Sequence, residues 1–209
     1  MNKRAIMDIF EYKVMNDDRM IEEIVDLHIK AFPTFFLTKL GDEFLKLLYK
    51  GYMDDENSGI IVSKNDDHLL GFIAYSTDYP AFFKKLLKDH FFKFAFLAFQ
   101  AAVRHPSFAL KLLGALKKSD DVVKEEKYVE ISSICVDPSI QGKGIGSKLI
   151  NYMKDNTDFG KFAFISLETD AVSNDAANCF YKKNGFQQAR TYITREGREM
   201  NEYHFSRDF

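Results

Sequence analysis

The chain is poor in cysteine, and its two cysteines form neither a metal-binding nor a disulfide pattern. Cys135 and Cys179 lie inside different apolar segments, without CxxC or CxH spacing. The five histidines are scattered, with no helical i, i+4 pair and no HExxH pattern. We therefore expect buried thiols in a reducing cytoplasm, histidines with structural roles and no metal site.

An excess of one charge and a long apolar run are also lacking. The 209 residues hold 29 basic and 31 acidic side chains, for a net charge of −2, so the basic surplus that drives sequence-independent nucleic-acid binding is absent. No apolar run of secretory length precedes Asp17 and Asp18. The longest apolar stretch, residues 94–103, is about half as long as the roughly 20 residues of a membrane-spanning helix. We expect no nucleic-acid partner, no export signal and no transmembrane segment.

Hydrophobic periodicity predicts a single mixed α+β domain over residues 1–209, long enough to bury one substantial core. The expected strands cover 9–14, 59–63, 69–76, 128–136, 162–167, 186–194 and 200–205. The first expected helix begins at Asp17 or Asp18, and the second runs over 38–50, from near Thr38 to Gly51. The later helices run from the turn at 142–146 to about Asn156, and over 174–183 before Asn184-Gly185.

Residues 79–118 differ from the rest of the chain in composition. They are rich in Phe and Leu, carry eight Lys or Arg against one Asp, and show helical spacing on either side of Pro106. This indicates a helical insertion or a lid. The segment is either a helical pair whose Phe side chains pack on the core or on a second subunit of a homodimer, or a peripheral membrane contact. The lysines that would face anionic lipid are Lys84, Lys85, Lys88, Lys93 and Lys111.

The predicted strand at 128–136 contains a change of phase. Val129 and Ile131 share one face by period two, whereas Ile134 and Val136 fall on the opposite parity. A one-residue shift of this kind predicts a β-bulge, which leaves backbone groups unpaired and often lies beside a functional site. We expect those amides to bind an extended ligand.

A glycine-rich turn follows this strand and runs directly into a helix. After Asp137-Pro138 the chain reads Gln141-Gly142-Lys143-Gly144-Ile145-Gly146-Ser147. Glycines allow close approach of the backbone, and the free amides of a helix N-terminus suit a pyrophosphate. The Walker pattern GxxxxGK[ST] is absent, and GxGxG lacks the interval of the dinucleotide-binding GxGxxG. The turn predicts a polyphosphate ligand held by neither of those two motifs.

Two motifs resemble the signatures of the GNAT superfamily of N-acetyltransferases. The first is QxxGxG, formed by Gln141, Gly144 and Gly146. The second begins 33 residues after Gln141 and reads Asn174-x-x-Ala177-x-x-Phe180-Tyr181-x-x-x-Gly185-Phe186, which is similar to the family's NxxAxxLYxxxGF. The resemblance is strong over residues 128–190 and extends in outline to the five elements that open the chain.

This resemblance implies a GNAT fold, with a mostly antiparallel sheet of six or seven strands, a bulged and splayed central strand and flanking helices. It implies acetyl-CoA as co-substrate, bound by a core at 128–190, and an amine as acceptor. The residues implied for CoA are Ile134, Cys135 and Val136 through their backbone, Gln141, Gly142, Lys143, Gly144, Ile145, Gly146 and Ser147 at the pyrophosphate, and Asn174 and Tyr181 near the pantetheine arm. Asn174 also suits a helix N-cap, and both roles stay open.

The resemblance further implies which groups move protons. Tyr181 occupies the family's general-acid position, and a phenol with an ordinary pKa near 10 can protonate a thiolate whose free pKa is about 8.5. Glu130, 11 residues before Gln141, matches the place where several members carry a glutamate base. Glu168, at the end of the next strand, matches the place where others do, and we favour Glu130. A core tyrosine and salt-bridged glutamates are the structural alternatives.

These motifs do not identify the acceptor, which we expect to contact residues 32–40 and 79–120. The segment HIKAFPTFFLTKLGDEFLKLLY resembles acetyltransferases found with bacterial surface-polysaccharide enzymes, which often act on amino-sugar nucleotides. A small amine or a protein amino terminus is left open as acceptor. The alternative to an enzyme is a non-catalytic CoA-binding or regulatory module with the same fold.

Overall fold

The computed structural model describes residues 7–12, 17–65, 68–104, 126–194 and 197–207. Its strands are β1 (Met7–Tyr12), β2 (Ser58–Asn65), β3 (His68–Ser76), β4 (Tyr128–Val136), β5 (Phe164–Asp170), β6 (Gln187–Ile193) and β7 (Glu199–Phe205). Its helices are α1 (Asp18–Ala31), α2 (Phe36–Lys39), α3 (Asp42–Asp54), α4 (Tyr79–Asp89), α5 (Phe91–Arg104), α6 (Ile145–Asn156) and α7 (Asp175–Lys183).

The strands form one mixed sheet in the order β1-β2-β3-β4-β5-β7-β6. Hydrogen-bonded neighbours are antiparallel except β4 and β5, which run parallel. The predicted mixed α+β fold, with a mostly antiparallel seven-stranded sheet and flanking helices, is confirmed.

Helices pack on both faces of this sheet, because successive strand residues point to opposite faces. Ile60 and Val62 of β2 point to the face that is packed by α1, α3, α4 and α5. Ile61 points to the other face, where α6 and α7 pack. The sheet is therefore the middle layer, and its central strands are buried on both sides.

The segment predicted as one helix over 38–50 folds as two helices, α2 and α3. Gly41 separates them as the N-cap of α3, with a φ of 96° that side-chain-bearing residues rarely adopt. Gly51, which was expected to end the helix, lies inside α3. A Cβ atom at Gly51 would lie only 2.5 Å from Cδ1 of Leu86 on α4, so the glycine makes room for a neighbouring helix.

Two other element ends have local causes. β5 begins at Phe164, later than predicted, because the Phe162 amide closes a turn by donating to the Asp158 carbonyl at 2.9 Å. Gly185 follows α7 with a φ of 78°, so the predicted left-handed end of that helix is confirmed. For β1, the predicted positions 13 and 14 lie outside the described residues.

The predicted insertion at 79–118 begins with two helices, α4 and α5, and its residues 105–118 lie outside the described residues. The pair is docked on the core of the first sheet face. Phe94 of α5 packs edge to face on Phe44 of α3, with 5.0 Å between ring centroids. This part of the insertion therefore belongs to the same packed body as the sheet.

Candidate functional site

The change of phase in β4 is a β-bulge at Ser132. Ile131 lies opposite Tyr75 of β3 and Ser133 lies opposite Ala74, so Ser132 is the extra residue. The bulge predicted from the alternation of apolar residues is confirmed.

Beyond the bulge, β4 separates from β5. The two strands pair over four residues each, from Tyr128 with Phe164 to Ile131 with Leu167. Within the described sheet, residues 133–136 pair with β3 alone. One backbone edge of β4 therefore faces the opening between the strands, where an extended ligand can add as a further strand.

Ile134, Cys135 and Val136 lie along this edge. The side chains of Ile134 and Val136 pack against the core under α6 and α7, and that of Cys135 is buried against α1. Burial raises the pKa of the Cys135 thiol, whose Sγ atom lies 3.9 Å from the Leu27 carbonyl oxygen. Since these side chains serve the core, the backbone is what this segment offers to a ligand.

The glycine-rich turn follows the open edge and leads into α6. Gly142 and Gly144 have φ values of 80° and 81°, and apart from the adjacent residues no heavy atom lies within 4 Å of a Cβ built on either one. The Lys148 amide closes the first helical turn by donating to the Gly144 carbonyl at 3.0 Å. The amides before it lie at the positive end of the helix dipole, beside open space, and can bind an anion.

The other residues of this turn differ in exposure. Gln141 and Lys143 are exposed, Ile145 is buried, and Gly146 and Ser147 are half-buried. A Cβ atom at Gly146 would lie 3.1 Å from the Phe180 ring of α7. Gly146 therefore permits the close approach of α6 and α7.

Asp137 fixes the start of the turn. Its Oδ1 atom accepts hydrogen bonds from the Ser139 amide at 2.8 Å and from the Ser139 hydroxyl at 2.6 Å. Its Oδ2 atom accepts a hydrogen bond from Nζ of Lys30 at 2.7 Å. Lys30 and Ser139 lower the pKa of Asp137 to about 2. The carboxylate thus ties the turn to α1.

Two buried tyrosines of α3 support the bulge from behind. Tyr52 lies within hydrogen-bonding reach of the Ser132 hydroxyl, and Tyr49 within reach of the Ser133 hydroxyl. The Tyr49 hydroxyl oxygen also lies 2.6 Å from Nδ1 of His28. Burial lowers the pKa of His28 to about 4, so the imidazole is neutral. No motif in the sequence pointed to this support.

Tyr181 lies on the inner side of α7 and is 8% exposed. Its ring centroid is 5.8 Å from that of Tyr203 and 5.3 Å from that of Phe180. Burial raises the pKa of Tyr181 to about 12, with smaller contributions from Cys135 and Tyr203. The phenol therefore keeps its proton at neutral pH, as a proton donor must.

Asn174 is the N-cap residue of α7, but its side chain does not cap the helix. Its Nδ2 atom instead donates to Oγ1 of Thr169 at 2.7 Å. This bond leaves Oδ1 of Asn174 as the atom with which the side chain can accept a hydrogen bond from a ligand.

Asn178 fastens α7 to β7. Its Nδ2 atom donates to the carbonyls of Asp170 and Asn174, both at 2.9 Å. Its Oδ1 atom accepts from Asn201 Nδ2 at 2.9 Å and from the Tyr203 hydroxyl at 2.8 Å. The buried amide is thus fully bonded, and it holds the helix that carries Tyr181.

Cys179 is exposed, so the expectation that both thiols are buried is wrong. The reason is its phase on α7. Asn178 and Tyr181 face inward one turn apart, and Cys179 lies between them on the outer side of the helix.

The two candidate bases lie on adjacent strands and share a face of the sheet. Glu130 of β4 is in register with Ser166 of β5, two residues before Glu168, so both carboxylates project to the same side. Tyr79, the first residue of α4, lies near both carboxylates. Burial raises the pKa of Tyr79, and the charges of Glu130 and Glu168 raise it further. The structure therefore brings Glu130 and Glu168 together beside a tyrosine that the sequence analysis missed.

Two more tyrosines border these glutamates. The Tyr128 hydroxyl donates to Oε2 of Glu130 at 3.5 Å, and Tyr192 of β6 lies beside Glu168. Burial is the main cause that raises the pKa of both phenols, and the adjacent carboxylates add to it. The three tyrosines come from three separate elements, so no local pattern could have grouped them.

Glu202 of β7 lies opposite Glu168 and is 2% exposed. It accepts hydrogen bonds from Nε of Arg190 at 2.5 Å and from the Ser166 hydroxyl at 3.3 Å, and Nε2 of His204 lies 2.7 Å away. A buried carboxylate with an arginine and two further partners has its charge compensated. Glu202 therefore belongs to the support of the site, and sequence reasoning missed it.

Comparison with known proteins places this geometry in a family. A family model described as "Acetyltransferase (GNAT) family" matches residues 21–186. An uncharacterized N-acetyltransferase of Schizosaccharomyces pombe is 23% identical in an alignment 124 positions long, which covers 54% of this chain and 53% of the yeast protein. The chain thus spans about half the length of the curated relative that it matches.

Solved structures share the fold. A GNAT-family protein from Desulfovibrio desulfuricans superposes with a TM-score of 0.63 at 11% identity, over 96% of this chain and 99% of the other. An aminoglycoside N-acetyltransferase in complex with CoA superposes with a TM-score of 0.61 at 13% identity, over 92% of this chain and 95% of the other. At such identities the similarity is one of fold.

Proposed function

Because this chain belongs to the acetyltransferase (GNAT) family, we propose that it transfers an acetyl group from acetyl-CoA to a primary amine by direct attack in a ternary complex. The observation that carries the proposal is the open backbone edge of β4, continued by a glycine turn at the start of α6. An extended amide-containing arm fits the edge, and a pyrophosphate fits the turn. The CoA held by a solved structure of the same fold supports this ligand class.

The residues present fit such a ligand along its length. Amides of residues 142–147 would hold the pyrophosphate, where the absence of Cβ atoms at Gly142 and Gly144 leaves open space. The backbone of residues 134–136 would pair with the pantetheine arm, and Oδ1 of Asn174 would accept one of its amide protons.

In this proposal, side chains of the protein accept and donate the protons that the acetyl transfer requires. Acetyl-CoA supplies an acetyl thioester. Glu130, directly or through a water, takes a proton from the amine as its nitrogen bonds to the acetyl carbon and the carbon–sulfur bond breaks. Glu168 is the second candidate for this role.

Tyr181 then donates its hydroxyl proton to the departing thiolate sulfur. Its raised pKa makes this phenol a weaker acid than in water. Burial also raises the pKa of the nearby Cys135 thiol, so a thiolate released in the same apolar surroundings is a stronger base. Burial thus raises the pKa of the proton donor and that of the thiol that receives the proton, and the two shifts offset each other.

The acceptor in this proposal is a small primary amine, with an amino-sugar nucleotide as one class. Tyr79 and Tyr128 border the two carboxylates, and tyrosines offer both ring faces and hydroxyls to a sugar. The amine would lie near Glu130, at the side of the sheet where α4 begins.

A glycine substitution with a matched control tests the function. Gly144→Glu places bulk and negative charge where we expect a phosphate, and should abolish acetyl-CoA binding in calorimetry and thiol release with a panel of amines. Gly197→Glu has the same left-handed backbone strain, with a φ of 81° and open space, at the turn between β6 and β7. This control should bind and react like the unmodified protein.

Two results would go against the proposal. Undiminished acetyl-CoA affinity in folded Gly144→Glu would remove the ligand from this turn. Tight binding by the unmodified protein without thiol release for any amine would instead favour a non-catalytic CoA-binding module.

A further inference from the structure

The outward side of α5 carries an apolar surface that acetyl transfer does not use. Phe91, Phe92, Phe96 and Phe99 are 62%, 86%, 61% and 67% exposed, and they are half of the eight large hydrophobic side chains exposed in the described residues. Phe92, Phe96 and Phe99 follow the i, i+4, i+7 spacing of one helix face. We call Phe91, Phe92, Phe96 and Phe99 the phenylalanine surface. Exposed apolar side chains that are clustered, rather than scattered singly, mark an interaction site.

The inner side of the same helical pair is firmly packed, so the exposure is not a sign of poor docking. Phe82 of α4 is buried against Tyr52, with 4.3 Å between ring centroids. Phe94 of α5 is buried against Phe44. The core thus holds α4 and α5 in place while the phenylalanine surface points to solvent.

Exposed basic side chains lie on the same pair of helices. Lys84, Lys88 and Lys93 are exposed, and Asp89 is the one acidic residue within α4 and α5. Lys85 pairs with Asp55 at 3.4 Å, so its charge is already matched. The sequence segment 79–118 as a whole has eight Lys or Arg against one Asp. The exposed charge on this pair of helices is therefore mostly positive, which favours a partner that carries negative charge.

We propose that the phenylalanine surface, with Lys84, Lys88 and Lys93, docks on an anionic lipid bilayer. Phenyl rings insert at the boundary between headgroups and acyl chains, and lysines pair with anionic headgroups. A second copy of the chain fits less well, because a two-fold interface brings the same lysines towards each other.

The length of α5 sets how it lies on the bilayer. Its 14 residues span about 21 Å, which is shorter than the roughly 30 Å hydrocarbon core. Within the part of the chain that the structure describes, no helix has both the length and the apolar character to cross a membrane. The helix therefore lies along the surface with its phenylalanine side down.

The absence of tryptophan from the sequence permits a clean optical test. Phe92→Trp places one tryptophan on the phenylalanine surface. Its emission should shift to shorter wavelength with mixed phosphatidylcholine–phosphatidylglycerol vesicles and stay unchanged with pure phosphatidylcholine vesicles. Ile193→Trp, at a residue 73% exposed elsewhere, should show no shift with either.

Flotation of charge variants tests the lysines. Each lysine near an anionic surface contributes about a fivefold gain in binding, so the double reversal Lys88→Glu/Lys93→Glu should weaken binding to mixed vesicles at least about 20-fold. The double reversal Lys182→Glu/Lys183→Glu on α7 changes the net charge equally and should bind like the unmodified protein.

Polar substitution tests the phenylalanines. Phe92→Ser/Phe96→Ser should weaken binding at least about tenfold, whereas Ile193→Ser should not. All these side chains are exposed, so the variants should keep the fold, which circular dichroism checks. Because flotation and fluorescence do not involve acetyl transfer, their outcome is independent of the proposed function.

Three outcomes would overturn the membrane proposal. One is an unmodified chain that stays unbound with mixed vesicles, and another is equal binding to neutral and anionic vesicles. The third is a dimer in sedimentation analysis that Phe92→Ser/Phe96→Ser dissociates, because a second copy would then cover the surface.

Discussion

A phenol beside a departing thiolate is useful only while it holds its proton. Because the pKa of Tyr181 is raised to about 12, the rate should not fall on account of this group until the pH approaches that value. Tyr181→Phe removes the hydroxyl and leaves the ring packed on Tyr203. We expect turnover to fall roughly 10²–10⁴-fold with little change in acetyl-CoA affinity, measured by steady-state kinetics and calorimetry. An unchanged turnover where chemistry limits the rate would return Tyr181 to a packing role.

The pH dependence of activity should distinguish the role of Glu130 from that of Glu168. Glu130→Gln keeps the size of the side chain but removes its capacity to accept a proton. We expect this variant to lose activity at neutral pH and to regain part of it as rising pH deprotonates the amine without help. Glu168→Gln should show a smaller loss that is nearly independent of pH. The measurement is kcat/KM across a pH series for both variants.

The same two variants also give the results that would contradict the assignment of Glu130 as the base. A loss independent of pH for Glu130→Gln, together with a loss rescued by high pH for Glu168→Gln, would reverse the assignment. Full activity in both would mean that the acceptor arrives neutral or that water alone takes the proton.

His28 links the support of the bulge to acid stability. Its pKa is about 4 in the fold because of burial, against 6.5 for an ordinary histidine. Between these values the unfolded chain binds a proton that the folded chain does not, so the free energy of unfolding falls as pH falls from 6.5 to 4, by about 3 kcal/mol in total. His28→Gln removes the titration and should flatten this part of the pH dependence in urea unfolding. The same slope in both proteins would contradict the assignment to His28.

Sequence reasoning succeeded for residues whose signal is local. The parity change between Ile131 and Ile134 was enough to predict the bulge. It failed for Tyr79 and Glu202, because their proximity to Glu130 and Glu168 depends on which strands become neighbours. The register between β5 and β7 places Glu202 opposite Glu168, and no spacing along the chain contains that information.

At the scale of elements, Asn178 determines how α7 is attached to β7. Asn178→Ala would leave Asn201, Tyr203 and two backbone carbonyls without their buried partner, so we expect a loss of about 2–4 kcal/mol in unfolding free energy. Cys179→Ala, at the exposed neighbouring position, should change it by less than about 0.5 kcal/mol. Denaturant titration of both variants makes the comparison, and equal stability would show that water replaces the amide.

Element types could be predicted more fully than element ends. The bounds of β4 follow from its apolar run between charged and turn residues. The separation of α2 from α3 did not follow, because Gly41 and Gly51 look alike in sequence and differ only in their surroundings. Gly41 takes a left-handed φ, whereas Gly51 stays helical and gives space to Leu86.

At the scale of the whole molecule, the sheet consists of two antiparallel halves. β1 to β4 form one half and β5 to β7 the other, and four residue pairs between β4 and β5 join them. We expect amide hydrogen exchange to show the two halves opening as separate units. CoA should slow exchange in β4 and β5 as well as at residues 142–147, because a ligand bound between the halves must leave before they part. Protection confined to residues 142–147 would contradict this coupling.

The short open edge of β4 also has a consequence for aggregation. An exposed strand edge is a template on which other chains can add, and residues 133–136 carry no charged side chain to deter them. This edge, however, lies in the middle of the sheet, directly after the four residues over which β4 pairs with β5. A thin ligand needs less room beside this edge than a second β-strand with its side chains. The fold thus places its unpaired edge inside the sheet, away from the margins where other chains add most easily.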